Sequence, residues 1–578
     1  MTEFLANLPL APVPDDLTIP QFVFDHKHPL RPARGDVPFF INDATGHKVS
    51  EKEAFRRTHA LANGLSRRWD VGDKDVVCIY SPNHIDYPIL IWAVHRLGGV
   101  ITGSNPAYTV EELIHQLKLT QTTIVFTLPP LLGIVTAACK AVGIPLERIV
   151  LLDSVSGTSH VSVDQLVEDG LKNKLNFTEK KLAPGEAKTK VAFFSLSSGT
   201  TGPPKAVAVS HFNVVSNVLQ MTTHNLGAEL AAGVPPEKRR FRVGDVLTGV
   251  LPFFHIYGLV MGIHQMIFTG TTVVIMPKFA WPDFLESVVR HRITSLVVVP
   301  PMIVLLTKHP LVKKYDLSHV HFCYSGAAPL SGPLIAELAK VIPNADIGQG
   351  YGMTETATAV TLTEPLLKVG SSGSAGILLP GVKMRIVKAD GSLARNNEPG
   401  ELFVHSPSNA LRYHQNPKAT AETFIDGWVR TGDEAIITDN GELFIVDRLK
   451  ELIKVRGFQV APAELEGHLL EHADVADACV VGVPDDFSGE IPFAFVTLRA
   501  PAATRAASSV NEANAIRADI YKHVADVKTK YKWLDGGIEF IDVIPKNPSG
   551  KLLRRLLRDK AKEIRAAVVA KAEAKAKL

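Results

Sequence analysis

The chain has few of the residues that mark several common classes of protein. Its 578 residues include only four cysteines, and none of them belongs to a Cys-x-x-Cys pair. This excludes a disulfide framework or a zinc-finger site, fits a reducing compartment, and leads us to expect buried core cysteines. The formal net charge is only +3, so nothing in the composition suggests a nucleic acid or an anionic membrane as a partner.

Long hydrophobic runs are also missing. The most apolar stretch, Ser295 to Leu306, has 12 residues and is broken by two prolines, which is too short for a transmembrane segment. The first residues lack a basic region ahead of an apolar one, so we expect no secretory signal. With 46% hydrophobic and 21% charged residues, the composition is typical of a soluble globular protein, and the length predicts more than one domain.

Helix and strand patterns alternate over most of the chain. A helix is predicted to start at Ser50, because Glu53 follows three residues later as in a capping box. The apolar run "DVVCIYSPN" then predicts a buried strand, and similar pairs follow, so we expect parallel sheets with covering helices. Ligands of such sheets gather at the carboxyl ends of the strands. After about Gly370, short strands separated by Asp-Gly and Asn-Gly turns predict an antiparallel β subdomain.

A separate α+β unit is predicted from about Lys450 onward. A short hairpin, a helix, two strands, a helix and a further strand follow one another there, and the Ala-rich segment Arg499 to Ser509 is predicted to be a loop. We therefore expect a large α/β domain over residues 1–449 and a small mobile α+β domain over residues 450–578.

The segment Ser195 to Lys205, "SLSSGTTGPPK", has the composition of a phosphate-binding loop. Its glycines, Gly199 and Gly202, allow close backbone approach, so that successive N–H groups can surround an anion. The spacing does not fit a P-loop, which needs Gly-Lys followed by Ser or Thr, because two prolines follow Gly202 here. The pattern therefore indicates a phosphate site of another kind.

With four later motifs, this loop resembles the adenylate-forming superfamily of acyl-CoA synthetases, beetle luciferases and peptide-synthetase adenylation domains. The later motifs, in the order of that superfamily, are "GQGYGMTETA" (348–357), "GWVRTGD" (427–433), "VDRLKELIKVRGFQVAPAELE" (446–466) and "PKNPSGKLLRR" (545–555). Through "LPFFHIYGL" and "GFQVAPAELE" the chain is most similar to the 4-coumarate–CoA ligase and luciferase branch.

The resemblance implies a two-step reaction. A carboxylic acid would attack the α-phosphate of ATP to give acyl-AMP and pyrophosphate, and the thiol of coenzyme A would then displace AMP. The first step brings two anions together and needs positive charge and a metal, here Mg²⁺. The catalytic residues implied are Lys551, His255, Thr354 and Glu355, with Thr200 and Glu355 as the metal-contacting pair.

The same resemblance implies the residues of each binding site. The ATP and AMP site would comprise Ser197, Ser198, Gly199, Thr200, Thr201, Gly202, Lys205, Gln349, Gly350, Tyr351, Gly352, Thr354, Asp433 and Arg448. The small domain would turn about a hinge at Lys450, so that Lys551 serves the first step and Lys454, Gly457 and Gln459 serve the CoA step. The acyl pocket would be lined by His255, Gly326, Gly352, Thr358 and Ala359.

The identity of the acid and two other functions stay open. Plant coumarate ligases carry a Pro-Val pair where this chain has Thr358-Ala359, so aryl, arylacetic and medium-chain fatty acids are all candidates. An oxidative luciferase-like enzyme and a free-standing adenylation protein serving a carrier protein are the alternatives to an acyl-CoA ligase. The ending Ala576-Lys577-Leu578 is similar to the Ser-Lys-Leu peroxisomal address, so we expect a peroxisomal import receptor as a partner, and otherwise a cytoplasmic location.

Overall fold

The computed structural model describes residues 3–197, 204–328, 330, 332–449, 451–455, 458–485, 488–546, 550 and 552–576. In chain order, strands β1 to β27 are Phe4–Leu5, Phe40–Asn42, Lys48–Val49, Val76–Tyr80, Val100–Ser104, Ile124–Thr127, Ile149–Leu151, Val191–Ser197, Lys205–Ser210, Val246–Gly249, Thr272–Ile275, Ser295–Val298, Phe322–Ser325, Asp346–Met353, Thr358–Leu362, Ile377–Leu378, Lys383–Val387, Gly400–His405, Arg412–Tyr413, Phe424–Ile425, Trp428–Ile437, Leu443–Arg448, Ile453–Val455, Phe458–Val460, Val475–Asp485, Gly489–Leu498 and Gly537–Phe540. Helices α1 to α16 are Glu51–Trp69, Tyr87–Arg96, Val110–Thr120, Leu132–Val142, Val163–Lys172, His211–Thr222, Ala228–Ala231, Met266–Phe268, Asp283–Arg290, Pro300–Lys308, Gly332–Val341, Pro417–Thr423, Pro462–Leu469, Ala500–Ser508, Val510–Ala525 and Arg554–Ala576.

Two mixed sheets form the centre of the large domain. One sheet has the strand order β16-β15-β14-β13-β12-β10-β11-β2-β3 and the other β19-β9-β8-β5-β4-β6-β7. The inner strands of both run parallel, and antiparallel strands are added at their edges. These inner strands are apolar and buried, as strands covered on both faces must be. The predicted parallel sheets with covering helices are therefore confirmed.

The antiparallel subdomain predicted after Gly370 is a third sheet with the strand order β1-β17-β18-β21-β20. In addition, β22 pairs with β21. Alternate residues of β18 and β21 are buried, so one face of these strands packs on the large hydrophobic core. This sheet positions the middle of β21 next to the end of β14.

The chain after residue 450 forms a fourth sheet, β24-β23-β26-β25, with β27 parallel to β26. It has its own hydrophobic core, to which α13 and α15 contribute, so the predicted small α+β domain is confirmed as a fold. The predicted loop over Arg499 to Ser509 is wrong, because the segment contains α14. Alanine favours helix, Pro501 fits the first turn, and Ala502 is buried in the core of this domain.

The four cysteines are buried and form no disulfide, as predicted from their number and spacing. Burial raises the pKa of the Cys323 thiol to about 12, so this thiol stays protonated and unreactive. Among the helices of the described residues, none combines the length and the apolar character that crossing a membrane requires.

Candidate active site

The ends of β14 and β22 and the middle of β21 bring together Tyr351, Asp433 and Arg448. The Tyr351 hydroxyl donates a hydrogen bond of 2.5 Å to Oδ2 of Asp433, and Arg448 Nε lies 3.1 Å from Oδ1 of the same carboxylate. Asp433 is only 4% exposed. Three separate sequence motifs thus meet at one buried carboxylate.

The charges of this cluster are set by its surroundings. Burial, together with Asp433, raises the pKa of Tyr351 well above its ordinary value, so the phenol stays a neutral donor. Burial alone would lower the pKa of Arg448, but the attraction of Asp433 and Glu451 outweighs it and the pKa is raised. The cluster therefore presents a fixed carboxylate and a fixed positive charge, a combination suited to hydroxyl groups and phosphate oxygens.

Gln349 precedes Tyr351 by two residues in β14 and is held at both ends of its amide. Its Oε1 accepts a hydrogen bond from the Leu330 N–H (3.0 Å), and its Nε2 donates to the Ser374 carbonyl (2.8 Å). The side chain is buried and connects two loops that follow the strands of the first sheet. A contact of Gln349 with adenine stays a prediction.

A second cluster joins Glu355 to the strands that flank the glycine-rich loop. The Tyr413 hydroxyl donates a hydrogen bond of 2.7 Å to Glu355 Oε1, and Lys205 Nζ lies 4.7 Å from the centre of the Tyr413 ring. Glu355 is 3% exposed, and Thr354 beside it is also buried. Burial raises the pKa of Tyr413, and the Glu355 carboxylate raises it further, so the phenol remains a donor.

Lys205 is paired in register with Ser197, at the two ends of the hairpin formed by β8 and β9. The predicted loop residues Ser198, Gly199, Thr200, Thr201 and Gly202 lie between them and outside the described residues. The base of the loop is thus held next to Tyr413 and Glu355. Sequence reasoning missed Tyr413, because "LRYHQN" matches none of the motifs; its pairing with β9 could only be seen in the fold.

Two of the predicted acyl-pocket residues, Gly326 and His255, lie next to Tyr257. A Cβ atom added to Gly326 would lie 2.8 Å from the Tyr257 ring, and one added to Gly352 would lie 1.6 Å from the Thr358 carbonyl oxygen. The glycines therefore let the backbone approach these groups closely. His255 lies next to this contact, with its Nδ1 accepting a hydrogen bond from the Tyr257 N–H (3.3 Å). Tyr257 was part of the quoted "LPFFHIYGL" motif, but sequence reasoning gave it no role.

The turn at Thr358 is strained and held in place. Thr358 has a φ of +115°, which is unusual for a residue with a side chain, and its hydroxyl donates to the Ile256 carbonyl (3.0 Å). The Asn217 amide binds both the carbonyl (2.6 Å) and the N–H (3.2 Å) of Ala359. In the part of the chain that the structure describes, the buried Tyr257 hydroxyl has no hydrogen-bond partner. The turn at Thr358-Ala359, held by these hydrogen bonds, forms one wall together with the Tyr257 ring and Gly326.

Gly550, the residue before Lys551 in the sequence, brings the small domain into contact with the large one. A Cβ atom added to Gly550 would lie 3.2 Å from Val299, which directly follows β12, and 3.6 Å from Pro301. Lys551, the predicted hinge Lys450 and Gly457 lie outside the described residues. Lys454 is exposed, and its backbone is paired in register with that of Gln459 in the hairpin of β23 and β24.

Comparison with known proteins agrees with this geometry. The model of the AMP-binding enzyme family matches residues 29–414, and that of the AMP-binding enzyme C-terminal domain matches residues 464–551. The chain is 33% identical to the acyl-CoA ligase easD of Emericella nidulans, over 94% of this chain and 97% of the relative. It is 35% identical to 4-coumarate–CoA ligase 5 of Oryza sativa subsp. japonica, over 96% of this chain and 97% of the relative.

Solved structures give the same fold. The ATP-bound crystal structure of MatB from Rhodopseudomonas palustris has a TM-score of 0.79 and 26% identity, with 95% of this chain and 99% of that chain covered. A crystal structure of the anthranilate CoA ligase AuaEII in complex with anthranoyl-AMP has a TM-score of 0.80 at 20% identity, over 96% and 99% of the two chains.

Proposed function

The chain belongs to the AMP-binding enzyme family and is an ATP-dependent acid–thiol ligase, and from this premise we propose how its residues divide the work. A carboxylic acid is activated as acyl-AMP with release of pyrophosphate, and the acyl group passes to coenzyme A. The observation that carries the residue assignment is the buried cluster of Tyr351, Asp433 and Arg448. We assign the ribose hydroxyls to Asp433 and Arg448, and a face of the adenine to Tyr351.

Glu355, together with Thr200, holds Mg²⁺ in this proposal. The donor set fits the ion, because a buried carboxylate oriented by Tyr413 supplies the hard oxygen ligand that Mg²⁺ prefers. The ion would neutralise charge on the phosphates of ATP. Lys205 and the loop from Ser197 to Gly202 bind the β- and γ-phosphates, and Thr354 contacts the α-phosphate as the carboxylate attacks.

The acid lies against the wall formed by Tyr257, Gly326 and the turn at Thr358-Ala359, with His255 at the passage to CoA. This wall is mainly apolar and buried, which favours an aryl or medium-length aliphatic acid. The similarity to 4-coumarate–CoA ligases supports a 4-coumarate–CoA-like activity, while the Thr358-Ala359 pair argues against the hydroxycinnamates of the plant enzymes.

Lys551 and Lys454 serve different half-reactions in this proposal. Lys551 stabilises the developing charge between the carboxylate and the α-phosphate, and at an effective dielectric near 20 a cation about 4 Å from an anion contributes about 4 kcal/mol before desolvation. After the small domain turns about Lys450, Lys454 and Gln459 face the acyl-AMP and Lys551 has left. The contact of Gly550 with Val299 supports the first of these orientations.

The test separates the two half-reactions. Lys551→Ala should lower acyl-AMP formation by more than about a hundredfold and leave conversion of preformed acyl-AMP to the thioester largely intact. Lys454→Ala should lower thioester formation more than adenylation. Equal losses in both half-reactions, in variants that unfold at the wild-type temperature, would contradict the assignment.

The location is proposed from Ala576-Lys577-Leu578 alone, as a peroxisomal address read by an import receptor. A fluorescent fusion that keeps these three residues at its C-terminus should collect in peroxisomes, and deletion of the three should release it to the cytosol with catalysis intact. An unchanged location after the deletion would contradict the proposal.

A further inference from the structure

One hydrogen bond joins the two sides of the predicted hinge. Asp447 lies in β22, three residues before Lys450, and is 7% exposed. Its Oδ2 accepts a hydrogen bond of 3.1 Å from the backbone N–H of Ala463, in the first turn of α13. Because Lys450 lies between the two residues in the sequence, this bond connects the large domain to the small domain. We refer to the bond between Asp447 and Ala463 as the hinge contact.

The start of α13 has no cap of its own. Its N-cap residue is Ala461, which has no side-chain acceptor, and the next residue, Pro462, has no N–H. Ala463 therefore carries the first N–H of the helix that can be capped, and Asp447 supplies the acceptor from the other domain. A carboxylate at this position also interacts favourably with the partial positive charge of a helix N-terminus.

The other charged residues around α13 all follow the hinge in the sequence. Arg554 binds Glu451 (2.9 Å) and Glu466 (2.5 Å), and Arg554 is only three residues after Lys551. These residues would therefore move with Lys551 as one body. Of Asp447, Glu451, Glu466 and Arg554, Asp447 alone precedes the hinge and stays with the large domain.

The hinge contact exists together with the docking of Gly550, the residue before Lys551 in the sequence. In the orientation that the structure describes, Gly550 packs against Val299 and Pro301 at the carboxyl end of β12. A rotation about Lys450 that removes Gly550 from this edge would also carry α13 away from β22. The Asp447–Ala463 bond is thus specific to one orientation, whereas the bonds of Arg554 are common to both.

We propose that Asp447 is a positioning residue for the adenylation half-reaction, because the hinge contact stabilises the orientation in which Lys551 reaches the active site. The proposal rests on the two-orientation function argued above. We assign Asp447 no contact with ATP or the acid. Its Oδ1 accepts a hydrogen bond of 2.7 Å from the backbone N–H of Arg448, and this bond lies within the large domain in both orientations. Loss of the bond to Arg448 would affect both half-reactions, whereas loss of the hinge contact affects the balance between the two orientations. Loss of the hinge contact lowers the population of the adenylation orientation and does not destabilise the thioester-forming orientation.

The test compares Asp447→Ala, Asp447→Asn and the matched control Asp439→Asn, which changes a carboxylate at the exposed turn between β21 and β22. Each variant is assayed for acid-dependent ATP–pyrophosphate exchange and for thioester formation from preformed acyl-AMP, with unfolding temperature as a folding control. Asp447→Ala should lower the exchange rate about tenfold, the size expected for a buried N–H left unpaired. Its thioester formation should be unchanged or faster. Asp447→Asn keeps an acceptor oxygen and should restore most of the exchange, while Asp439→Asn should behave as wild type in both assays.

Three results would overturn the proposal. Equal loss of both half-reactions in Asp447→Ala would mean a folding role, since thioester formation also needs an intact small domain. Wild-type exchange in Asp447→Ala, or the same loss in Asp447→Asn, would mean that the bond does not hold the orientation. Lys551→Ala, assayed in the same experiment, shows whether the two-orientation function or only the role of the hinge contact is wrong. If it shows no separation of half-reactions, the two-orientation function fails and the hinge contact with it; if it separates them and Asp447→Ala does not, only the present inference fails.

Discussion

Single side chains from distant parts of the sequence meet at the two acidic groups of this site. Asp433 is bound by Tyr351 and Arg448, and Glu355 by Tyr413. The motifs identified four of these five residues, because each motif preserves a local spacing. Tyr413 could not be found in this way, because only the pairing of β19 with β9 brings it to Glu355.

Tyr413→Phe tests the role given to this hydroxyl. Without its donor, Glu355 loses the bond that orients it, so we expect the Mg²⁺ concentration needed for half-maximal adenylation to rise and the adenylation rate to fall about tenfold. The measurement is ATP–pyrophosphate exchange over a Mg²⁺ titration. Tyr521→Phe, which removes a hydroxyl bonded to Asp535 in the small domain, is the control and should leave the titration unchanged. A Tyr413→Phe curve identical to wild type would refute the metal assignment.

Gly326→Ala tests the position of the acyl pocket. The added methyl group would lie 2.8 Å from the Tyr257 ring, which must then move into the space proposed for the acid. We expect kcat/KM for a bulky aryl acid to fall about tenfold more than for a short aliphatic acid. Gly133→Ala, where a Cβ atom would meet open space in α4, should change neither value. Parallel losses for large and small acids would place the pocket elsewhere.

At the scale of elements, hydrophobic patterns predicted most strands and helices. The inner strands are apolar because both faces of their sheets are covered, and the helices carry apolar residues on the side that covers them. The wrong loop at Arg499 to Ser509 came from reading an Ala-rich, proline-containing stretch as irregular, although Ala502 packs into the core of the small domain. The role of α6 could not be predicted from local patterns either, because it depends on a contact with a distant part of the sequence. Its Asn217 holds Ala359 in the wall proposed for the acyl pocket, a contact between residues 142 positions apart.

Ser210→Ala tests how α6 is anchored. Ser210 and Asn213 form a reciprocal capping box at its start, with hydrogen bonds of 3.1 and 2.9 Å. Removing the hydroxyl leaves a buried N–H without its acceptor and should destabilise the large domain by about 1–2 kcal/mol, measured as a lower urea midpoint. Ser508→Ala, at an exposed helix end in the small domain, should shift the midpoint far less. Equal midpoints for the two variants would contradict this account of α6.

At the scale of the whole molecule, the large core encloses several histidines in neutral form. Burial lowers the pKa of His95 to about 3, of His224 and His264 to about 4, and of His211 well below its ordinary value. The unfolded chain takes up protons near pH 6.5, which these buried rings cannot do. The contribution of these neutral histidines to the free energy of unfolding is therefore fully present above pH 6.5 and decreases as the pH falls toward 4.

Urea denaturation at pH 7.5 and 5.5 measures this loss, which should be about 1 kcal/mol for each of these histidines. His224→Gln removes one of them and should make the decrease shallower. His47→Gln changes a largely exposed histidine and should leave the decrease as in wild type. A stability that is equal at the two pH values would contradict the assignment of neutral buried rings.

The central claim concerns the molecule as a whole: two domains with one site make a thioester from an acid, ATP and CoA. The most direct measurement is a panel of aryl, arylacetic and medium-chain acids incubated with ATP and Mg²⁺, with and without CoA, and scored for pyrophosphate, AMP and acyl-CoA. We expect at least one acid to give pyrophosphate and acyl-AMP without CoA, and a thioester with stoichiometric AMP when CoA is added. Pyrophosphate release without a CoA-dependent thioester for any acid of the panel would contradict the account.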